Sequence, residues 1–122
     1  SLSVEARMRD LLALDKVVAV GECGLDYYRN LNAPKLQHAV FKSQLELAVE
    51  LKKPVVVHTR EAAEDTLAIL KDCMPQDAYI DIHCFTGEEE EIHRLLDAFP
   101  NLYVGFTGVV TFKKSHKLRS VV

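Results

Sequence analysis

Glu22, His58 and His83 are the residues of this chain whose types and placement could do chemistry together. Each follows a short apolar run that reads as a strand: Val17-Val18-Ala19-Val20 before Gly21-Glu22, Val55-Val56-Val57 before His58, and Tyr79-Ile80-Asp81-Ile82 before His83. A single histidine after a buried strand is more often a satisfied structural residue than a ligand. Three polar groups repeated at equivalent strand ends are harder to dismiss. One carboxylate and two imidazoles that converge there could hold a divalent ion, with Zn²⁺, Mn²⁺, Fe and Mg²⁺ all compatible.

The elements that must position these groups alternate along the chain. Val4, Met8, Leu11 and Leu12 predict an amphipathic helix over residues 4–14. Residues 21–31 read as a loop, and Pro34 sits where a helix can start. Phe41, Leu45, Ala48 and Val49 carry that helix to about Leu51, where Pro54 then interrupts. A further helix is predicted around Ala63, Thr66, Leu67 and Leu70, and another on Ile92, Leu95, Leu96 and Phe99. Thr86 followed by Glu89 suggests a capping box at its start, and Glu88 to Glu91 suit the helix dipole there. Leu102 to Phe106 reads as the fourth strand, and the basic tail Lys113–Arg119 as a solvated segment. Strands apolar throughout, separated by amphipathic helices, predict an α/β fold with a parallel sheet. Two architectures fit: a doubly wound sheet, or part of a (β/α)₈ barrel. In both, ligands gather at the C-terminal ends of the strands.

Composition bounds the reading. The 122 residues are 48% hydrophobic and 27% charged, a globular balance for one domain at most. The net charge is −3 and the pI about 5.9, which argues against a protein that coats nucleic acid non-specifically. A nuclease stays open, because a bound cation supplies local positive charge. Cys23, Cys73 and Cys84 form no C-x-x-C pair, which suggests reduced thiols and a cytoplasmic or nuclear setting. No apolar run is long enough to span a bilayer, and the N-terminus lacks the apolar core of a signal peptide. It also lacks an initiator Met, a hint of missing upstream sequence.

Three strings narrow the choice: VGECGLDYY (Val20–Tyr28), KKPVVVHTRE (Lys52–Glu61) and IHCFTG (Ile82–Gly87). Together they resemble the TatD family of metal-dependent deoxyribonucleases, whose pattern runs G-E-x-G-L-D, P-x-x-x-H-x-R, H-C-F-T/S-G. VGFTGVVTF (Val104–Phe112) resembles the segment that follows the family's next strand. The resemblance implies an amidohydrolase-like, TIM-type barrel, of which this chain would be about half: a complete barrel needs roughly 250 residues. It implies two divalent metal ions and DNA as substrate, cut from an end, with no membrane partner. Glu22 matches the bridging, catalytic carboxylate, and His58 and His83 match ligands of the second metal. Arg60 would help hold a phosphate. Tyr27, Phe85 and Asp26 lie beside the ligands as substrate-binding candidates, although Tyr27 and Phe85 are equally ordinary packing residues and Arg60 could pair with Glu61 or Glu64.

The chain also departs from the pattern. The family's H-x-H pair and its E-T-D-x-P string are both missing. The other histidines are His38 and His93, expected on helix surfaces, and His116 in the basic tail. The expectation is therefore a single partial domain over residues 1–122, a truncated product that self-associates or is marginally stable alone. The competing reading is a catalytically inactive form that binds a metal or a partner. A small doubly wound binding module ranks last, since Gly21-Glu22-Cys23-Gly24 lacks the spacing of a phosphate loop.

Overall fold

A computed structural model describes residues 3–28 and 33–122. Its elements run α1 (Val4–Leu12), β1 (Val20–Asp26), α2 (Pro34–Leu51), β2 (Val55–Arg60), α3 (Ala63–Cys73), β3 (Ile80–Ile82), α4 (Glu89–Ala98) and β4 (Leu102–Val104). A short 3₁₀ turn (Gly108–Thr111) and α5 (His116–Val121) close the chain. The four strands form one parallel sheet in the order β1-β2-β3-β4. Sequential order without reversal is the arrangement of barrel strands rather than of a doubly wound sheet, whose order reverses at a switch point.

Strand alternation sorts the side chains. Val20, Cys23, Leu25, Val55, Val57, Ile80, Ile82 and Leu102 are buried on one face. Against them pack Phe41, Leu45 and Ala48 of α2, Leu67 and Leu70 of α3, and Ile92 and Leu95 of α4. The opposite face carries Glu22, Val56, His58, Asp81 and Tyr103, all partly or fully exposed. α1 is tied to α2 by Arg9, whose guanidinium bonds both oxygens of Glu50 and also Glu5. These carboxylates hold its pKa above the ordinary arginine value.

Several boundaries differ from expectation. Residues 21–26 are strand, not loop, so Glu22 lies inside β1 rather than beyond its end. The cause is steric. A Cβ on Gly24 would stand 1.8 Å from the His58 carbonyl oxygen, and one on Gly21 2.7 Å from that of Val56. The two glycines, at φ 150° and 152°, let β1 run against β2, with a register shift between Val20 and Cys23. What resembles a flexible glycine loop is a close backbone approach. Likewise β2 runs on to Arg60, and the fourth strand stops at Val104. The capping box at α4 uses Glu88 as N-cap and Glu91 at N3, not Thr86 and Glu89. The Glu88 carboxylate accepts from the N3 backbone and the Glu91 side chain accepts from the Glu88 N–H. The basic tail includes the short helix α5, with Arg119 donating to the Val110 and Phe112 carbonyls.

Gly24→Ala would drive a methyl into the β2 backbone and demand a backbone angle that alanine rarely adopts. The expected cost is at least ~3 kcal/mol, read as a lower thermal midpoint by circular dichroism. A midpoint within a degree or two of the parent would refute the close-approach account.

Candidate metal centre

β1 and β2 bring the first two candidates together. The register pairs Gly24 with His58 and Asp26 with Arg60, and Glu22 and His58 emerge on the open face. Glu22 Oε1 lies 3.5 Å from His58 Nδ1. His83 follows β3 directly, held in line by its N–H donating to the Val57 carbonyl. Its Nε2 lies 3.7 Å from Glu22 Oε2. The carboxylate thus sits between two imidazoles, as the strand-end repetition predicts. The backbone turns sharply just past two of the functional residues: Cys84 after His83 and Glu61 after Arg60 are in the left-handed region at φ 54° and 52°. Such conformations in non-glycine residues gather at sites that must aim a side chain.

Asp26 sets the state of His58. Its Oδ2 is 2.9 Å from His58 Nε2, and its Oδ1 accepts the Tyr28 N–H at 3.0 Å. An ionised carboxylate only accepts, so Nε2 carries the proton. In the neutral ring, Nδ1 then presents a lone pair toward Glu22. Two acceptors that face each other at 3.5 Å repel unless a proton or a cation lies between them. Neighbouring ligands around a tetrahedral ion, with bonds of about 2.0–2.2 Å, are roughly 3.3–3.6 Å apart. The spacing and the donor chemistry fit a divalent ion, and Asp26 stands where an outer carboxylate orients a metal-binding histidine. The set is nevertheless open. Among the described residues, no three His, Cys, Asp or Glu side chains converge tightly enough to enclose an ion by themselves. Cys23 lies on the opposite, buried face, where burial first and the nearby Glu22 second push its thiol up to about 12.

The other candidates divide. Tyr27 Oη donates to Asp65 Oδ2 at 2.5 Å and lies 2.5 Å from His38 Nε2. With its proton committed to Asp65, the hydroxyl accepts from the His38 ring N–H. Tyr27 therefore pins the end of β1 to α2 and α3. His38 is half-buried in this cluster rather than a bare surface residue, while His93 and His116 are exposed. Phe85 is buried and packs edge-on to Phe106, ring centroids 6.2 Å apart. It also lines a cavity of about 330 Å³ with Tyr28, Arg60 and Thr86. Arg60 pairs with neither Glu61 nor Glu64: its guanidinium carbon lies 3.9 Å from the centre of the Tyr28 ring, and Glu64 faces Arg94. Tyr28 and His38 were not singled out as site residues in the sequence. An aromatic two residues past a strand-end acid was the signal for the former.

A parallel sheet in sequential order, with polar groups toward the C-terminal ends of its strands, matches part of a (β/α) barrel. The profile of the family described as TatD related DNase matches residues 2–122. The human "3'-5' RNA nuclease TATDN2" is 47% identical over 123 residues, which is all of this chain but 16% of that protein. The Escherichia coli K12 "Uncharacterized metal-dependent hydrolase YcfH" is 43% identical over 112 residues, 92% of this chain and 42% of that one. Among solved structures, the E. coli K12 TatD homologue YJJV superposes with a TM-score of 0.81 at 28% identity, over 96% of this chain and 43% of its own. This chain belongs to the TatD-related DNase family, and it spans less than half the length of these relatives. Among the described residues, no helix is long and apolar enough to cross a membrane.

Burial, and then the bond to Asp65, push the Tyr27 phenol from 10.0 up to about 12. Because the folded pKa is the higher, the unfolded chain loses its proton first. The Tyr27 contribution is complete below pH 10 and is lost as pH rises from 10 to about 12. Tyr27→Phe should cost ~1 kcal/mol at neutral pH, and its deficit in urea unfolding should shrink between pH 10 and 12. A deficit constant across that range would sever the phenol from the stability of the cluster.

Proposed function

We propose that the chain supplies part of the active site of a metal-dependent phosphodiesterase that acts on nucleic acid, as the central portion of a longer barrel. The observation that carries this reading is the Glu22 carboxylate flanked by His58 and His83 on the open face of the sheet. Family membership supports the reaction class, and the relative named a 3'-5' RNA nuclease supports attack from an end. DNA is the substrate that the family description favours, and RNA is the alternative that this relative raises.

Glu22, His58 and His83 would hold a divalent cation, with Glu22 shared toward a second. Such ions lower the pKa of bound water and neutralise charge that develops on the phosphoryl oxygens. The chain's own residues do the positioning. Asp26 keeps the proton on His58 Nε2 and so keeps Nδ1 available as a ligand. Arg60, two residues further along the same strand face and so about 7 Å beyond His58, would hold a phosphate. The H-x-H pair and the late Asp expected of the family would come from sequence outside these 122 residues. The two outer edges of the sheet, at β1 and β4, would then be closed by the remaining strands.

The decisive assay is cleavage of labelled single- and double-stranded DNA, and of RNA, in Mg²⁺, Mn²⁺ or Zn²⁺. The chain alone should not cleave. A version extended at both ends by the missing motifs should cleave, and should lose at least ~100-fold with Glu22→Ala or His83→Ala. Cleavage by the short chain would overturn the partial-site account. Failure of both would leave an inactive metal- or partner-binding protein. For the ligand role of His58, Asp26→Asn should weaken Mn²⁺ or Zn²⁺ binding to the extended protein by about 10–100-fold, read by titration calorimetry. An unchanged affinity would remove Asp26 from the metal centre.

A further inference from the structure

We infer that Tyr28 and Arg60 form a stacking platform for one unpaired nucleobase, and that this subsite lies one nucleoside away from the metal-binding edge. The inference rests on the nucleic-acid reading above and adds to it a specific recognition element.

Four observations carry it. First, the Arg60 guanidinium carbon lies over the Tyr28 ring, 3.9 Å from its centroid. Among the described residues it has neither a carboxylate nor a hydrogen-bond partner. A half-buried cation left without an ion pair, held only by an aromatic face, keeps its in-plane N–H groups for something else. Second, Tyr28 is 57% exposed. Its ring is a large apolar surface open to solvent at the rim of a cavity of about 330 Å³. Third, that cavity is lined by three acids, Glu61, Glu88 and Glu91. Glu91 accepts the Glu88 N–H, and Glu88 caps α4 and faces Lys117. These carboxylates disfavour a phosphate inside the cavity. A neutral, flat base meets no such penalty, and its phosphate can stay outside on Arg60. Fourth, the platform is bound to the metal edge. The Tyr28 N–H and the His58 ring share the Asp26 carboxylate, and Arg60 stands two residues beyond His58 on the same face. That offset, about 7 Å, is the span of one nucleoside between successive phosphates.

An aromatic platform takes any base, since every base has a π-face, but only one that is out of the duplex. The subsite therefore selects single-stranded or frayed ends, with little sequence preference.

The test compares two probes by ¹⁵N NMR titration of the chain, following the Arg60 Nε–H signal and the Tyr28 amide. One probe is a deoxyadenylate trinucleotide. The other has the same backbone with its central base removed. No cleavage enters the measurement, so its failure is distinct from failure of the hydrolase reading, which the cleavage assay decides. The intact probe should bind ~10-fold or more tightly than the abasic one. Tyr28→Phe should keep that ratio, because the ring face remains. Tyr28→Ala should bring the ratio to about one, the loss falling far more on the intact probe than on the abasic one, a separation that a merely structural role would not produce. Arg60→Gln should weaken both probes. Equal affinity of wild type for the two probes, equal losses for both on Tyr28→Ala, or no binding of either probe would each overturn the proposal.

Discussion

The contact on which the site depends is the close approach of β1 to β2 at Gly21 and Gly24. Side-chain alternation is strict along a strand, so a slip of one residue would turn Glu22 into the helix layer and Cys23 out to solvent. Gly24 sits so near the His58 carbonyl that no Cβ fits between them. The register shift between Val20 and Cys23 is taken up beside Gly21. Together they set Glu22 against His58 while Cys23 and Leu25 stay in the core. The carboxylate is aimed by backbone packing rather than by a flexible loop, as a site that must hold ligand atoms to within a few tenths of an ångström requires.

Asp26 extends that order outward. One of its oxygens fixes the proton on His58, and the other fixes the backbone of Tyr28. A single side chain at the last position of β1 thus couples a candidate ligand to the aromatic that carries Arg60. Tyr27, between the two, turns the other way and locks onto Asp65 and His38. On the proposed reading, the D-Y-Y string divides its three side chains between metal edge, scaffold and platform. The hydroxyl of Tyr27, within a run that looks uniformly like a binding loop, is thus engaged by the protein's own α2 and α3.

Much of this was legible in the sequence, for a physical reason. Apolar strands and amphipathic helices declare themselves by period, so α2 from Pro34 to Leu51 and the core of β2 came out directly. Glu22, His58 and His83 were legible because each comes after an apolar run, and parallel strands in sequential order bring their C-terminal halves to one edge. What periodicity misses is set by contacts distant in sequence. Residues 21–26 looked like a loop because glycine is read locally as freedom, whereas here it answers to the β2 backbone. The capping box moved from Thr86 to Glu88 because the turn after Phe85, held to the Gly105 carbonyl, delays the start of α4. His38 looked like a surface residue because its partners, Tyr27 and Asp65, come from two other elements.

The open face raises a further thermodynamic point. It carries Glu22, the Nδ1 lone pair of His58, and Asp81, all acceptors that water now reaches. Closing the sheet against further strands would remove that water. Buried acceptors without donors cost on the order of 1–3 kcal/mol each, and more where they are charged. A divalent cation removes the penalty by giving the acceptors a common partner, so barrel closure and metal binding favour each other. If the proposed longer barrel is right, these residues alone should bind an ion more weakly than the closed barrel, and the closed barrel without an ion should be strained at this edge. Under the proposal the open ligand set and the open sheet are two sides of one condition, because the groups proposed to complete the metal shell would sit on the same strands proposed to exclude the water.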